Sequence, residues 1–158
     1  MGNHNVESLP VKELIVALLV WIGENSDYKT VAAPRYWMEL SQKQIDERAG
    51  IRTGDGKAGT LAMYECDSRT LILRSDLDFS RPWEQSILLH ELVHHAQCLR
   101  HGRYDNLCAA EREAYALQAR FLREEAAPSG SAEDENVRDL IFVIDQEPDR
   151  ICALLRRR

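Results

Sequence analysis

The chain has 158 residues, 44% hydrophobic and 29% charged, with a formal net charge of -6 and a pI near 5.4. That length fits one domain, residues 1–158, large enough to build a core without staples, and the composition is that of a soluble globular protein. The acidic balance argues against a general nucleic-acid surface.

Ser8 and Pro10 mark a helix start, and Leu14, Ile15, Leu18, Leu19, Trp21 and Ile22 continue it to a stop at Gly23. The apolar run is far too short to span a bilayer. A secretion signal is disfavoured because Glu13 directly precedes the run and no small-x-small cleavage site follows. Residues 34–50 read as helical in their second half, where Ser41 and Gln44 form a capping box and Gly50 a stop. Residues 50–59 read as a glycine-rich loop. Two short β patterns follow, Thr60 to Cys66 and Thr70 to Arg74, joined by Asp67-Ser68-Arg69 as a hairpin.

Pro82 opens the helix that carries the chemistry, with Trp83 near its start. Within it stands His90-Glu91-Leu92-Val93-His94. Two histidines four residues apart on a helix share one face, so two imidazole nitrogens can reach a single Zn²⁺. Glu91, beside the first ligand, is placed to act as a general base on a metal-activated water. His95 points about 100° away from His94 and is expected to be packed or hydrogen-bonded instead.

A catalytic zinc keeps three protein ligands and an open position, so a third ligand is needed. Leu107 to Leu122 reads as a second helix with two candidates, Glu111 and Glu113. Leu107, Ala110, Ala114, Leu117 and Phe121 form its apolar face; Glu111 lies at the edge of that face beside Gln118, while Glu113 falls with Arg120 on the charged side. A carboxylate at a buried edge needs a partner, which favours Glu111.

A helix bearing H-E-x-x-H followed by a second helix with a ligand Glu resembles the gluzincin branch of the zincin metallopeptidases, which includes thermolysin, HtpX-like and ImmA-like enzymes. In the last two groups the second helix reads E-x-x-A-D or E-x-x-A-N; here it reads Glu111-Arg112-Glu113-Ala114-Tyr115. The resemblance assigns the third ligand to Glu111, and it places Tyr115 where those families hold a ligand histidine with Asp or Asn. A phenol is a weaker acceptor than a carboxylate. The short gap between His94 and Glu111 is similar to that of the small bacterial minigluzincins. The resemblance covers about residues 60–122. It implies an α+β, mostly helical zincin-like domain with a small β-hairpin or sheet beside the metal helix. It also implies one Zn²⁺ held by His90, His94 and Glu111, and a peptide or protein substrate that adds as a strand to the hairpin edge. The hairpin can equally serve only to cover the core.

The expected activity is a zinc metallopeptidase; the other readings are a zinc-fold binding module without catalysis and hydrolysis of a non-peptide amide. His101 and Tyr104, in the connection between the two metal helices, are candidate donors to an oxyanion alongside Tyr115. Of the four cysteines, Cys98 and Cys108 bracket that connection and suggest a bridge, which would imply an oxidising compartment; free thiols would imply cytoplasm, slightly favoured by the lack of a visible signal. Residues 124–136 read as a flexible link. Val137, Leu140, Ile141 and Ile144 then form a helix, and after Pro148 comes a last short one ending in the basic Arg156-Arg157-Arg158.

Overall fold

The computed structural model describes residues 10–50, 59–104, 106–125 and 132–155. Expectations for Ser8, for the loop of residues 51–58 and for the terminal arginines lie outside these. Among the described residues there are five helices and one three-stranded sheet, an α+β fold as the sequence predicts.

Helix α1 (Val11–Asn25) buries Leu14, Ile15, Leu18, Leu19 and Ile22, the stripe that the periodicity marks. It runs past Gly23 to Asn25. Gly23 serves packing rather than termination: a Cβ there would lie 2.8 Å from the Lys29 carbonyl oxygen, where the chain folds back over the helix.

Strand β1 (Tyr36–Leu40) was not anticipated from the pattern. Helix α2 (Gln42–Ala49) follows at once, started by the Ser41–Gln44 capping box and ended by Gly50 in the left-handed region at φ 74°. Strands β2 (Ala62–Glu65) and β3 (Thr70–Arg74) form the expected antiparallel hairpin. Strand β1 pairs parallel with β3 on its other side, giving the order β1-β3-β2. Asp46 ties α2 to the entry of this hairpin by accepting from Gln42 Nε2 and from the Thr60 N–H at 2.8 Å each.

Helix α3 (Pro82–His101) has Pro82 in its first turn and packs on α1, on β2 and β3, and on helix α4 (Leu107–Glu125). Covered from several directions, it is buried from Ser86 through Cys98 apart from Glu91. Leu88, Leu89, Leu92 and Val93 are fully enclosed, each contributing roughly 1.5–3 kcal/mol of burial. Such a helix shows no clean polar face, and its few polar side chains need partners.

Helix α5 (Ala132–Leu155) packs on α4 through Ile144 against Ala119 and Leu122. It begins inside the expected link and runs through Pro148, so one helix stands where two were expected. A proline costs a helix one N–H donor; here the tertiary anchors on α4 outweigh that loss. One anchor is covalent. The disulfides are Cys66–Cys98 and Cys108–Cys152, not Cys98–Cys108. Cys98 turns inward to the end of the hairpin and Cys108 to the far turn of α5. No described helix is long and apolar enough to cross a membrane.

Candidate metal centre

His90 and His94 lie one turn apart on α3, and Glu111 meets them from the second turn of α4. The two Nε2 atoms are 3.1 Å apart. Glu111 Oε2 lies 3.3 Å from His90 Nε2, and Oε1 lies 3.3 Å from His94 Nε2. All three side chains are withdrawn from bulk water, and together they form a group able to hold a metal ion.

Two glutamines decide the protonation of the imidazoles. Gln97 donates from Nε2 to the Ala110 carbonyl and to Glu113 Oε2, so its Oε1 faces His94 Nδ1 at 2.8 Å. Gln118 donates from Nε2 to Ser86 Oγ, whose own proton goes to the Trp83 carbonyl, so its Oε1 faces His90 Nδ1 at 3.0 Å. A carbonyl oxygen can only accept; each Nδ1 therefore carries the proton and each Nε2 presents a lone pair. Two lone pairs and a carboxylate converge on one point. Glu111 Oε2 is accordingly buried without a hydrogen-bond partner.

Such an arrangement calls for positive charge at its centre. A proton taken up by the imidazoles can supply that charge: burial pushes the Glu111 carboxyl up, but Nε2–H donation and positive charge from protonated His90 and His94 outweigh it and hold the group at about 2. Burial likewise pulls His94 down, yet Glu111, Glu91 and Gln97 together raise it. The donor set fits a metal cation, with the glutamines supplying the outer support that fixes each ring's tautomer and tilt.

Glu91 is half-buried beside the cluster and lines the same cleft of about 320 Å³. Ala62, Met63 and Tyr64 of β2 form one wall of it, and Tyr104, Leu107 and Tyr115 also face in. The Tyr104 ring packs edge-on to His94 at 5.3 Å, and the Tyr115 ring edge-on to His90 at 4.3 Å. Burial, reinforced by Glu91 for Tyr104 and by Glu111 for Tyr115, keeps both phenols protonated far above the usual range.

Three expectations need correction. Tyr115 packs edge-on against His90 rather than accepting its N–H; Gln118 takes that bond. His101 is the exposed last residue of α3, not part of the connection, and lines a different cavity with Gln97 and Glu113. Glu113 does not lie among solvated charges: it accepts from Tyr28 Oη at 2.7 Å and Gln97 Nε2 at 2.9 Å. His95 is packed as expected, bonded to Tyr64 Oη at 2.8 Å and to the Ala32 carbonyl at 2.7 Å.

Gln97 and Gln118 are the residues that sequence reasoning missed. A signal was present: Gln97 lies one turn beyond His94 and Gln118 two turns beyond Glu111, each on the same helical face as that residue. A polar side chain on a buried face needs a partner.

No curated protein and no solved structure matches this chain. Residues 7–130, which include every member of this centre, match the family described as a domain of unknown function (DUF6647), and the chain belongs to that family.

Proposed function

We propose that the protein is a zinc-dependent peptidase of the zincin type, with His90, His94 and Glu111 as ligands and Glu91 as the general base. The observation that carries the reading is the convergence of two Nε2 lone pairs and a carboxylate, spaced 3.1–3.3 Å apart, beside a second, accessible carboxylate. Ligands about 2.0–2.1 Å from a tetrahedral zinc stand roughly 3.3 Å from one another, and a nitrogen and carboxylate donor set suits that ion.

A zinc ion held there supplies Lewis acidity to water and to a substrate carbonyl. Glu91 takes the proton released by the attacking water and delivers it to the departing amine. Tyr104 and Tyr115, held protonated at the cleft wall, can donate to the oxygen on which negative charge develops. Strand β2 forms a wall of the cleft, and among the described residues it pairs only with β3. An extended peptide added to its other edge gains main-chain hydrogen bonds and passes along the metal cluster. With both cysteine pairs bonded, the chain is suited to an oxidising, extracytoplasmic compartment.

Metal analysis of the purified protein, followed by hydrolysis of unstructured peptides, tests the reading. The expected outcome is about one zinc per chain, and a fall of roughly 10²–10⁴ in turnover for Glu91→Gln with zinc retained. Zinc bound without turnover in the parent, or unchanged turnover in the variant, would leave a binding module in place of an enzyme.

A further inference from the structure

Among the described residues the sheet has a second edge, formed by β1 (Tyr36–Leu40), and its composition is unusual for an exposed strand. Tyr36, Trp37 and Met38 are 53%, 42% and 36% exposed. Natural edge strands are ordinarily guarded by central charges, proline or bulges, because their free N–H and C=O groups recruit other strands. Here the charges flank the apolar centre instead. Arg35 precedes it, Glu39 follows it, both are exposed, and neither forms an ion pair among the described residues.

We propose that β1 pairs antiparallel with the β1 of a second copy of this chain, on a two-fold axis through Trp37. The segment Arg35-Tyr36-Trp37-Met38-Glu39 is complementary to itself in that register. Arg35 stands opposite the other copy's Glu39, Tyr36 opposite its Met38, and Trp37 opposite Trp37. Residues directly opposite in an antiparallel pair share a face. One face therefore carries a Trp37 pair flanked by two Arg35–Glu39 pairs. The other carries two aromatic–thioether contacts between Tyr36 and Met38.

The axis at Trp37 suits either phase of the ladder, because Trp37 can form a hydrogen-bonded or a non-hydrogen-bonded pair with itself. A shift by two residues in either direction breaks both ion pairs. An interface of this kind is isologous and closes on itself, which ends further growth of the sheet at that edge. The result is a six-stranded sheet in the order β2-β3-β1-β1-β3-β2, with the two metal clefts at its opposite ends.

Sedimentation velocity of the full chain across a wide concentration range tests this. The expected result is a monomer–dimer equilibrium in the parent. Glu39→Arg weakens it by roughly ten-fold or more, because like charges then stand opposite twice. Arg35→Glu combined with Glu39→Arg restores the pairing in exchanged order, and Trp37→Lys abolishes it. Far-ultraviolet circular dichroism of each variant confirms that the fold is kept. A parent that stays monomeric throughout overturns the proposal, as does a dimer indifferent to Glu39→Arg, or a double variant no better than the single one.

Discussion

The two histidines of the centre are supported in contrasting ways. His90 is held from across the helix pair: Gln118 of α4 reaches it, and the chain of bonds ends at once on Ser86 and the Trp83 carbonyl of α3. His94 is held from its own helix by Gln97, whose amide goes on to α4 at Ala110 and Glu113 and from there to Tyr28 beyond α1. The first support is short and sealed, with Ser86 fully buried. The second is long and borders an open cavity lined by Gln97, Tyr28 and Glu113. A closed support has no water to replace a missing member, whereas a support open at one end does.

The strongest way to break the comparison is to remove what both supports serve. Glu111→Ala takes away the carboxylate of the cluster and leaves two facing lone pairs, so on the proposed reading metal content measured after dialysis should fall to background, while Glu113→Ala should keep its metal. Loss in the second but not the first would move the third ligand to Glu113.

Truncating the supports separates them. Gln118→Ala leaves the His90 Nδ1–H without an acceptor in a dry interior and takes from Ser86 Oγ the N–H it accepts, a cost of roughly 3 kcal/mol in denaturant melts. Gln97→Ala exposes its abandoned partners to the cavity and should cost about 1 kcal/mol. Both should weaken metal binding by about 10–100-fold in a competition titration. Equal costs would mean that the cavity does not admit water to the second support.

Changing the acceptor sharpens the contrast. Gln118→Glu places a carboxylate against the His90 N–H, and Ser86 can turn its hydroxyl toward it, so metal binding should be retained. Gln97→Glu sets a carboxylate against Glu113 and loses both amide donors, so it should destabilise the fold, visible as a lower melting temperature. The smallest effect belongs to the far end: Tyr28→Phe removes one bond to Glu113, an acceptor close to water, and should cost under about 1 kcal/mol with metal affinity unchanged.

The same contrast explains what could be read from the sequence. His90, His94 and Glu111 were legible because ligand spacing and helical periodicity are local properties. The Ser41–Gln44 box and the β2–β3 hairpin were legible for the same reason. Strand β1 was not, because its partner β3 is parallel and some thirty residues away, and no turn signal links them. Gln97 and Gln118 resemble surface residues until the helix around them is known to be buried. Cysteine connectivity depends on which helix ends meet in space, so four cysteines left the choice open. Glu113 was misplaced because the sequence does not reveal that Tyr28 lies over it.

The two disulfides divide the helices of the centre between separate partners. One bond joins the end of β2 to α3, and the other joins α4 to α5. Neither crosses from α3 to α4, although each closes a long loop worth about 4 kcal/mol of unfolded-state entropy. The two halves therefore meet at α3 and α4 without a covalent link, through packed side chains and the hydrogen bonds of Gln97 and Gln118, and an ion held by His90, His94 and Glu111 would add a clasp across that seam. On the proposed reading, chelation would leave both disulfide-joined halves intact and loosen only the seam between α3 and α4, which the covalent plan leaves unstitched.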